Sequence, residues 1–239
     1  MVLSGKRTWL PPKIGLASPS FQQSPHPLEH LHQYVLAKIA KVEMVIISLG
    51  SNVTSWWGNS DTTILQALIE LEKLSIRIMR FSRLYRTQPY GLANQPDFTN
   101  AAALVHTSRS PTALLTLLKR IEARAGRRSS RRWGPRPLDL DIIDYNGRIL
   151  NWSKGNKQVF KHGAQSLILP HPGVQVRPFV LMPLLDVAPN WHHPVFGLSA
   201  AQLMKRLEFA SDGQVITSME VGAGELAGAR PAGFHDFLP

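Results

Sequence analysis

The sequence contains no cysteine among its 239 residues. This absence excludes disulfide bonds, thiolate nucleophiles and zinc sites built on cysteine. It does not fix the cellular compartment, because both a reducing cytosol and a disulfide-free secreted protein are compatible with it. The chain also lacks a P-loop motif of the GxxxxGK[ST] type, which argues against a P-loop kinase.

Long apolar stretches are missing as well. A membrane-spanning helix needs roughly 20 apolar residues, whereas the longest candidate, residues 44–49, has the length of a strand. The first residues do not resemble a secretory signal, since Pro11 and Pro12 follow Leu10 and no long apolar segment comes after them. We therefore expect a cytoplasmic protein with no membrane partner.

Positive charge is what the chain has in excess. Its 27 Lys and Arg residues outnumber 16 Asp and Glu residues, for a formal net charge of +11. Such a balance indicates an anionic partner, which includes nucleotides, nucleic acids and membrane surfaces, although solvated surface residues explain part of it equally well. With 44% hydrophobic residues, the chain is able to bury a full core.

Composition divides the chain into three segments. Residues 1–43 are rich in Pro, Ser, Gln and His, which predicts a disordered N-terminal extension. Residues 44–204 carry the regular hydrophobic patterns of a folded domain, and residues 205–239 are rich in Gly and Ala, which predicts a poorly ordered tail. Met44 directly precedes the first strand pattern, so translation starting there is a hypothesis that mass spectrometry would test.

The central segment has a recognisable order of elements. The patterns predict a strand at 45–49, a helix from Ser60 or Asp61, strands at 76–85 and 98–106, a helix from Pro111 to about Gly126, and a strand at 138–145. This βαββαβ order predicts an α+β fold of the ferredoxin-like type, an antiparallel sheet with its helices packed on one face. Residues 150–200 add C-terminal loops and short helices.

Two acids share one face of the last predicted strand. Side chains alternate along a strand, so Asp139 and Asp141 point to one side and the apolar residues next to them point to the other. Their backbones lie about 6–7 Å apart, which lets both carboxylates reach a pair of Mg²⁺ ions about 3.5–4 Å apart. Ligand sets made of oxygen alone favour Mg²⁺ over zinc or copper.

Five arginines occupy the ten positions from 127 to 136, directly before the acidic pair. Guanidinium groups stay charged and bind phosphate oxygens with two hydrogen bonds. Acids that hold metal ions beside arginines that hold phosphates suit a nucleoside triphosphate. On spacing alone, a solvated loop in which the aspartates pair with the arginines explains the pattern equally well.

Four motifs decide between these readings. Residues 132–141 read Arg-Trp-Gly-Pro-Arg-x-Leu-Asp-Leu-Asp, with Pro137 at the variable position. The other three are Leu49-Gly50-Ser51-Asn52, Tyr85-Arg86-Thr87 through Asp97-Phe98-Thr99-Asn100, and Leu169-Pro170-His171-Pro172 followed by Arg177 and Phe179. In this order they resemble the 6-hydroxymethyl-7,8-dihydropterin pyrophosphokinase family over roughly residues 44–200, and four motifs in sequence argue against chance.

The resemblance implies an enzyme of folate biosynthesis. Members of the family transfer diphosphate from ATP to the hydroxymethyl group of 6-hydroxymethyl-7,8-dihydropterin and release AMP. ATP is the co-substrate, and two Mg²⁺ ions are expected with it. We expect no nucleic-acid partner and a monomer or weak homo-oligomer. A fused (β/α)₈ domain is not expected, because such a domain needs about 250 residues.

The resemblance also implies roles for individual residues. Asp139 and Asp141 would bind the metal ions, and Arg127 and Arg136 would stabilise charge during catalysis. The implied ATP-binding residues are Glu122, Trp133, Arg136, His171 and Arg177. The implied pterin-binding residues are Thr87, Phe98, Asn100, Trp133 and Phe179, with the two phenylalanine rings sandwiching the pterin.

This chain departs from the family pattern in three places. Ser129 stands where the family has a second arginine after the glycine that ends the second helix, and Arg128 or Arg131 is a candidate substitute. Phe98 stands where tyrosine is common, which keeps the stacking surface and loses a hydroxyl. Residues 55–59 lengthen the loop before the first helix, and the sequence assigns them no role.

The alternative from another class is an RNA-binding module of RRM-like topology, because basic charge and βαββαβ order also describe that fold. Such a module carries a Lys/Arg-Gly-Phe/Tyr-Gly/Ala-Phe pattern on its third strand, whereas residues 98–103 here read Phe-Thr-Asn-Ala-Ala-Ala. Two carboxylates beside the arginines would also repel RNA phosphates in the absence of metal. An RNA-binding assay with a salt titration, set against ATP turnover, separates the two classes.

Overall fold

The structure is a computed structural model that describes residues 43–90, 94–128, 134–152, 167–207 and 215–219. Apart from Glu43, the predicted extension 1–43 lies outside these ranges. The described elements are β1 (Glu43–Ser51), α1 (Ser60–Lys73), β2 (Arg77–Phe81), β3 (Leu84–Thr87), β4 (Phe98–Thr107), α2 (Pro111–Arg124), β5 (Asp139–Tyr145), a 3₁₀ turn (Val174–Val176), α3 (Pro178–Val187), α4 (Ala200–Arg206) and β6 (Val215–Met219). None of these helices is long and apolar enough to cross a bilayer.

The strands form one sheet in the order β5-β1-β4-β3-β6, and β2 also pairs with β4. Every one of these pairings is antiparallel. The prediction of an antiparallel sheet combined with helices is confirmed. The predicted strand at 76–85 is two strands with Ser82 between them. The N–H of Ser82 donates to the carbonyl of Ala102 at 3.0 Å, but the N–H of Ala102 donates to the Ser82 hydroxyl at 2.9 Å instead of to a backbone carbonyl, which interrupts the regular ladder.

Side-chain caps fix where the first two helices begin. Asn59 caps α1 through its Oδ1, which accepts the N–H of Thr62 at 3.0 Å. The prediction placed this cap at Ser60 or Asp61, but Ser60 already belongs to the helix while Asn59 is extended. Ser110 caps α2, and Pro111 opens that helix as predicted.

Helices cover both faces of the sheet. On one face, α1 and α2 pack against a core that includes Val45, Ile47 and Leu140. On the other face, α3 and α4 pack against a second core that includes Ile46 and Ile143. The predicted short C-terminal helices are present, but they pack on the second face, so the prediction of helices on one face holds only for α1 and α2. The continuous apolar run at residues 45–47 is typical of a strand that is buried on both sides.

One strand comes from the stretch that the sequence predicts to be poorly ordered. β6 pairs with β3, with Leu84 opposite Met219 and Arg86 opposite Thr217. α4 also continues to Arg206, two residues past the predicted domain end at 204. The boundaries 44–204 and 205–239 stay predictions, but residues 215–219 supply the edge of the sheet.

Candidate active site

An open cleft lies over the sheet face that α3 and α4 cover, and its empty volume, which includes space open to solvent, is about 650 Å³. A row of directly paired residues crosses its floor, with Asp139 opposite Gly50 and Gly50 opposite Asn100. The walls come from β3, α3 and the loops next to them. The lining residues are Ser48, Gly50, Thr87, Gln88, Tyr90, Phe98, Asn100, Arg136, Asp139, Asp141, Arg177, Phe179 and Val180.

The two acids on β5 face the cleft together. Asp139 and Asp141 line it, while their apolar neighbours Leu138, Leu140 and Ile142 are buried in the core beneath α1 and α2. The predicted alternation is confirmed. Their partners on β1 are Gly50 and Ser48 respectively, so this neighbouring strand places only small side chains beside the carboxylates.

Two arginines hold Asp139. Nη1 of Arg127 donates to Oδ1 of Asp139, and Nη1 of Arg136 donates to Oδ2. Burial alone would raise the pKa of Asp139, but the charges of Arg127 and Arg136 outweigh it and hold that pKa well below the usual range. The carboxylate is therefore ionised at neutral pH, next to two cations that can also bind phosphate.

Asp141 is more open. Its side chain is 33% exposed, and its nearest ionisable neighbours are Nζ of Lys119 at 3.8 Å and Nε2 of His171 at 3.8 Å. Lys119 was not predicted as a site residue. Burial would lower the pKa of this lysine, but Asp141 and Glu122 outweigh burial and raise it. Its position one helical turn before Glu122 is the signal that sequence reasoning passed over.

Glu122 lies behind the cleft instead of lining it. Its side chain is buried, and Oε1 accepts hydrogen bonds from Nζ of Lys119 at 2.7 Å and the N–H of Leu140 at 2.7 Å, and is 2.8 Å from Nη1 of Arg127. Burial raises its pKa. In the structure this carboxylate contacts Arg127, Lys119 and the backbone of β5. The contact with the nucleotide that the resemblance implies stays a prediction.

His171 faces Asp141 with a neutral ring. Its Nδ1 accepts the N–H of Gly173 at 3.1 Å, which assigns the ring proton to Nε2 on the Asp141 side. Burial lowers the pKa of His171 to about 4. Arg177 precedes α3 and lines the cleft, with its guanidinium carbon 5.9 Å from the centre of the Phe179 ring.

The other half of the cleft has aromatic rings and amide groups. Phe98 and Asn100 lie on β4, Thr87 ends β3, and Phe179 lies in the first turn of α3. Nδ2 of Asn100 donates to Oγ1 of Thr87 at 2.8 Å. Tyr90, which sequence reasoning missed, lies 5.7 Å from Phe179 between ring centres. The predicted site residue Trp133 lies outside the described residues.

Asn52 joins three segments around the cleft. The residue is buried, and its Nδ2 donates to Oε1 of Gln95 and the carbonyl of Pro96, both at 3.1 Å. Its Oδ1 accepts the N–H of Arg136 at 2.9 Å. The first motif contains Asn52, but its contacts are 43 and 84 residues away along the chain, so the sequence alone gave it no role.

The long loop before α1 packs against the end of α2. The N–H of Trp56 donates to the carbonyl of Ala125 at 3.4 Å. Gly126 follows with a φ of +95°, and a Cβ there would lie 2.5 Å from Nε1 of Trp56. This loop, to which the sequence assigned no role, therefore supports the turn that leads into Arg127.

Residues 46–189 match the family model described as 7,8-dihydro-6-hydroxymethylpterin-pyrophosphokinase (HPPK). The chain belongs to this family. The predicted family is thereby confirmed, and the matched residues include all four motifs.

Named relatives agree with the HPPK assignment. A 2-amino-4-hydroxy-6-hydroxymethyldihydropteridine pyrophosphokinase of Synechocystis is 34% identical over 178 residues, which cover 74% of this chain and 83% of the relative. The folic acid synthesis protein fol1 of Pneumocystis carinii is 40% identical over 165 residues, which cover 69% of this chain. The chain spans 20% of the length of that protein, and 27% of a folate synthesis bifunctional protein of Arabidopsis thaliana.

A solved structure supports the HPPK fold. The wild-type HPPK-DHPS of Plasmodium falciparum aligns with a TM-score of 0.52 at 16% sequence identity, over 69% of this chain and 44% of that chain. At this identity the likeness concerns the fold alone. It agrees with the antiparallel sheet and helices described above.

The residues present fit the magnesium ions that the HPPK resemblance implies. Asp139 and Asp141 offer carboxylate oxygens at one cleft, which is the ligand type that Mg²⁺ prefers. Among the described residues, no group of three or more His, Cys, Asp or Glu side chains is placed to bind a metal ion. Two carboxylates suit Mg²⁺, because this ion keeps several waters and shares substrate phosphates instead of filling a cage of protein ligands.

The HPPK match gives no support to the RNA-binding alternative. On the cleft side of β4, Phe98 is followed by Asn100 and then by Ala102. This face therefore has one aromatic ring on that strand, where an RRM stacks two or three bases on aromatic side chains.

Proposed function

We propose that the protein transfers the terminal diphosphate of ATP to the hydroxymethyl group of 6-hydroxymethyl-7,8-dihydropterin and releases AMP. One observation carries the proposal: a single cleft brings Asp139, Asp141 and Arg136 together on one side with Phe98 and Phe179 on the other. The first group suits a magnesium-bound polyphosphate, and the second suits a flat, polar-edged ring.

We infer that the core of the fold has ferredoxin-like βαββαβ topology. With β2 and β3 counted as one interrupted strand, the sheet order β5-β1-β4-β3 places the first and third strands in the centre. α1 and α2 connect these strands on one face, and α3, α4 and β6 are additions to that core.

Asp139 and Asp141 would hold the two Mg²⁺ ions, which supply charge neutralisation on the polyphosphate when bound. In the structure, Arg127 and Arg136 each occupy one oxygen of Asp139. A polyphosphate in the cleft offers these guanidinium groups new acceptors and leaves lone pairs of Asp139 for the ion. The arginines thereby stabilise the charge that develops as the bond between the α-phosphate and the β-phosphorus breaks.

His171 and Arg177 would complete the phosphate side. The Nε2–H of His171 is a neutral donor near Asp141, and Arg177 adds a fixed positive charge from the start of α3. A neutral histidine at this place donates a hydrogen bond without competing with the metal ions for the carboxylates. Glu122 acts one layer behind by holding Arg127.

Phe98 and Phe179 would contact the faces of the pterin ring. Asn100 would read the ring edge, because Nδ2 already donates to Thr87 and Oδ1 is left to accept an N–H from the ligand. The hydroxymethyl oxygen then attacks the β-phosphorus of ATP, and AMP leaves. We place the enzyme in the cytoplasm as a monomer or weak homo-oligomer, without nucleic-acid or membrane partners.

The decisive experiment incubates the full chain with ATP, Mg²⁺ and 6-hydroxymethyl-7,8-dihydropterin and separates the products by chromatography. We expect AMP and a pterin diphosphate in equal amounts. A pterin without the hydroxymethyl group is the matched control and gives no AMP. ADP in place of AMP would overturn the proposed diphosphate transfer. No turnover together with salt-dependent RNA binding would favour the alternative class.

A further inference from the structure

A polar contact outside the cleft joins α3 to β3. Asp186, in the last turn of α3, accepts the backbone N–H and the side-chain Nε–H of Arg83, both at 3.1 Å, and its Oδ1 lies 2.8 Å from Nη2 of Arg83. The hydroxyl of Tyr85 donates to Asp186 at 2.7 Å. Four donors from two neighbouring residues therefore converge on one carboxylate.

The surroundings of Asp186 favour its ionised carboxylate over the protonated form. Tyr85 is 1% exposed, and the side chain of Asp186 is 18% exposed. Burial alone would raise the pKa of Asp186, but the hydrogen bonds from Arg83 and Tyr85 outweigh it and lower that pKa. Burial and the contact with this anion raise the pKa of Tyr85, so its hydroxyl stays protonated and donates.

The contact joins the start of β3 to the end of α3. The opposite ends of both elements, at Thr87 and Phe179, line the cleft. Side chains alternate along a strand, so Tyr85 and Thr87 project to the same face of β3, and Thr87 lines the cleft. Asp186 is seven positions after Phe179, and seven positions correspond to about 10 Å along a helix. Phe179 also lines the cleft. The elements are thus tied near Asp186 and separated by the cleft near Phe179.

The helix between these ends has a weak point. Pro183 lies inside α3 and has no N–H to donate to the carbonyl of Phe179, four residues earlier. A proline at this position allows the helix to bend there. Because a bend at Pro183 lets the first turn move partly apart from the last turn, attachment of Asp186 restricts the position of Phe179 without fixing it completely, and the expected effect on the slot is moderate.

We propose that Asp186 is a positioning residue: bound by Arg83 and Tyr85, it sets the distance between α3 and β3 and thereby the width of the slot between Phe179 and the Thr87–Asn100 pair. This inference rests on the proposed function, since the slot is the proposed pterin site. Arg83, Tyr85 and Asp186 touch no substrate themselves. They act through the placement of Phe179.

The test measures the dissociation constant of the dihydropterin by calorimetry, in the presence of Mg²⁺ and a non-hydrolysable ATP analogue. Asp186→Asn replaces acceptor oxygen with an N–H group that faces Arg83, and we expect pterin binding to weaken by about tenfold. Tyr85→Phe keeps the packing and removes one hydrogen bond, so its effect is in the same direction and smaller. Affinity for the ATP analogue alone changes by less than about threefold in both variants.

A double-mutant cycle separates positioning from general loss of stability. In a Phe179→Ala background, the wall that Asp186 places is already missing, so Asp186→Asn should add little to the loss of pterin affinity. Arg148→Gln, which breaks an ion pair with Glu43 at the opposite edge of the sheet, is the matched control and leaves pterin affinity unchanged.

The outcomes distinguish this inference from the proposed function. Wild-type protein that binds no dihydropterin would overturn the proposed function. Normal wild-type binding together with unchanged affinity in Asp186→Asn would overturn the positioning role alone. The same holds if Asp186→Asn weakens binding equally with and without the Phe179 ring, because the effect would then not act through Phe179.

Discussion

A Cβ atom placed on Gly50 would lie 3.0 Å from Oδ1 of Asn100. The same atom would lie 4.0 Å from Cβ of Asp139, on the other side of the glycine. Gly50 therefore forms the floor of the cleft between the proposed metal ligand and the proposed pterin ligand. Its missing side chain leaves the space in which the two substrates would meet.

Gly50→Ala is expected to disturb the pterin half more than the metal half. A methyl group at 3.0 Å forces the Asn100 amide to shift, and Asn100 is held by Thr87. We expect the KM for the dihydropterin to rise by about tenfold, which corresponds to about 1.4 kcal/mol, with a smaller change for ATP. Steady-state kinetics with each substrate varied in turn measures both. Met44→Ala, an exposed position on β1, is the control, and an unchanged KM in Gly50→Ala would contradict the proposed arrangement.

Asp139→Asn and Asp141→Asn are expected to remove most of the turnover. Each keeps the size of the side chain and removes a negative charge from the proposed metal site, so the barrier should rise by several kcal/mol, or a factor on the order of a thousand in kcat. The measurement is kcat against Mg²⁺ concentration, with Glu43→Gln as an acid-to-amide control far from the cleft. Near-normal turnover of either variant at saturating Mg²⁺ would refute the metal assignment.

The order of strands and helices along the chain, and the presence of α1 and α2, could be predicted from hydrophobic spacing and capping residues, because these signals are local. The packing of the later helices as a second layer on the other face of the sheet could not. α3 carries Pro178 and Pro183, which are strong signals for a loop, and it is helical because its apolar side chains pack on Ile46 and Ile143. Tertiary packing overrides local helix preference here. In the sequence, only the apolar run at 45–47 indicates that the sheet is covered on both faces.

Without the family resemblance, only the part of the candidate site whose residues are close in sequence could be predicted. Asp139 and Asp141 lie two residues apart on one strand, so alternation alone placed them together. Asn52 and Asp186 were missed because their partners are distant along the chain, at separations of 84 and 103 residues for Arg136 and Arg83. Such contacts exist only after the sheet has formed, and no local sequence pattern predicts them.

Stability should depend on pH through a buried histidine away from the cleft. His193 is fully buried next to Trp152, Trp191 and Phe196. Burial lowers its pKa from 6.5 to about 4. Between these values the unfolded chain binds a proton that the folded protein does not, so the free energy of unfolding falls as the pH is lowered from 6.5 to 4. One such group contributes at most about 1.4 kcal/mol per pH unit.

Urea unfolding at several pH values between 7 and 4 measures this dependence. His193→Asn removes the titrating group and keeps an oxygen that can accept the N–H of Val195, which Nδ1 accepts in the structure. We expect the variant to be less stable at pH 7, because the aromatic contacts are reduced, and to lose less stability on acidification. Parallel pH curves for the two proteins would contradict the assignment of this proton to His193. Glu122, whose raised pKa acts in the opposite direction, is common to both proteins and cancels in the comparison.

Removal of β6 should weaken the proposed pterin site from the edge of the sheet. β6 pairs with β3 along Leu84, Tyr85 and Arg86, so a chain that ends at residue 207 exposes the outer backbone groups of β3, whereas a chain that ends at residue 219 keeps them paired. We expect the shorter chain to have a lower Tm and weaker dihydropterin binding, because Thr87 at the end of β3 loses its support. The longer truncation should match the full chain in both measurements. If both truncations behave like the full chain, residues 215–219 contribute nothing to the site, and a chain that ends at residue 207 is sufficient for function.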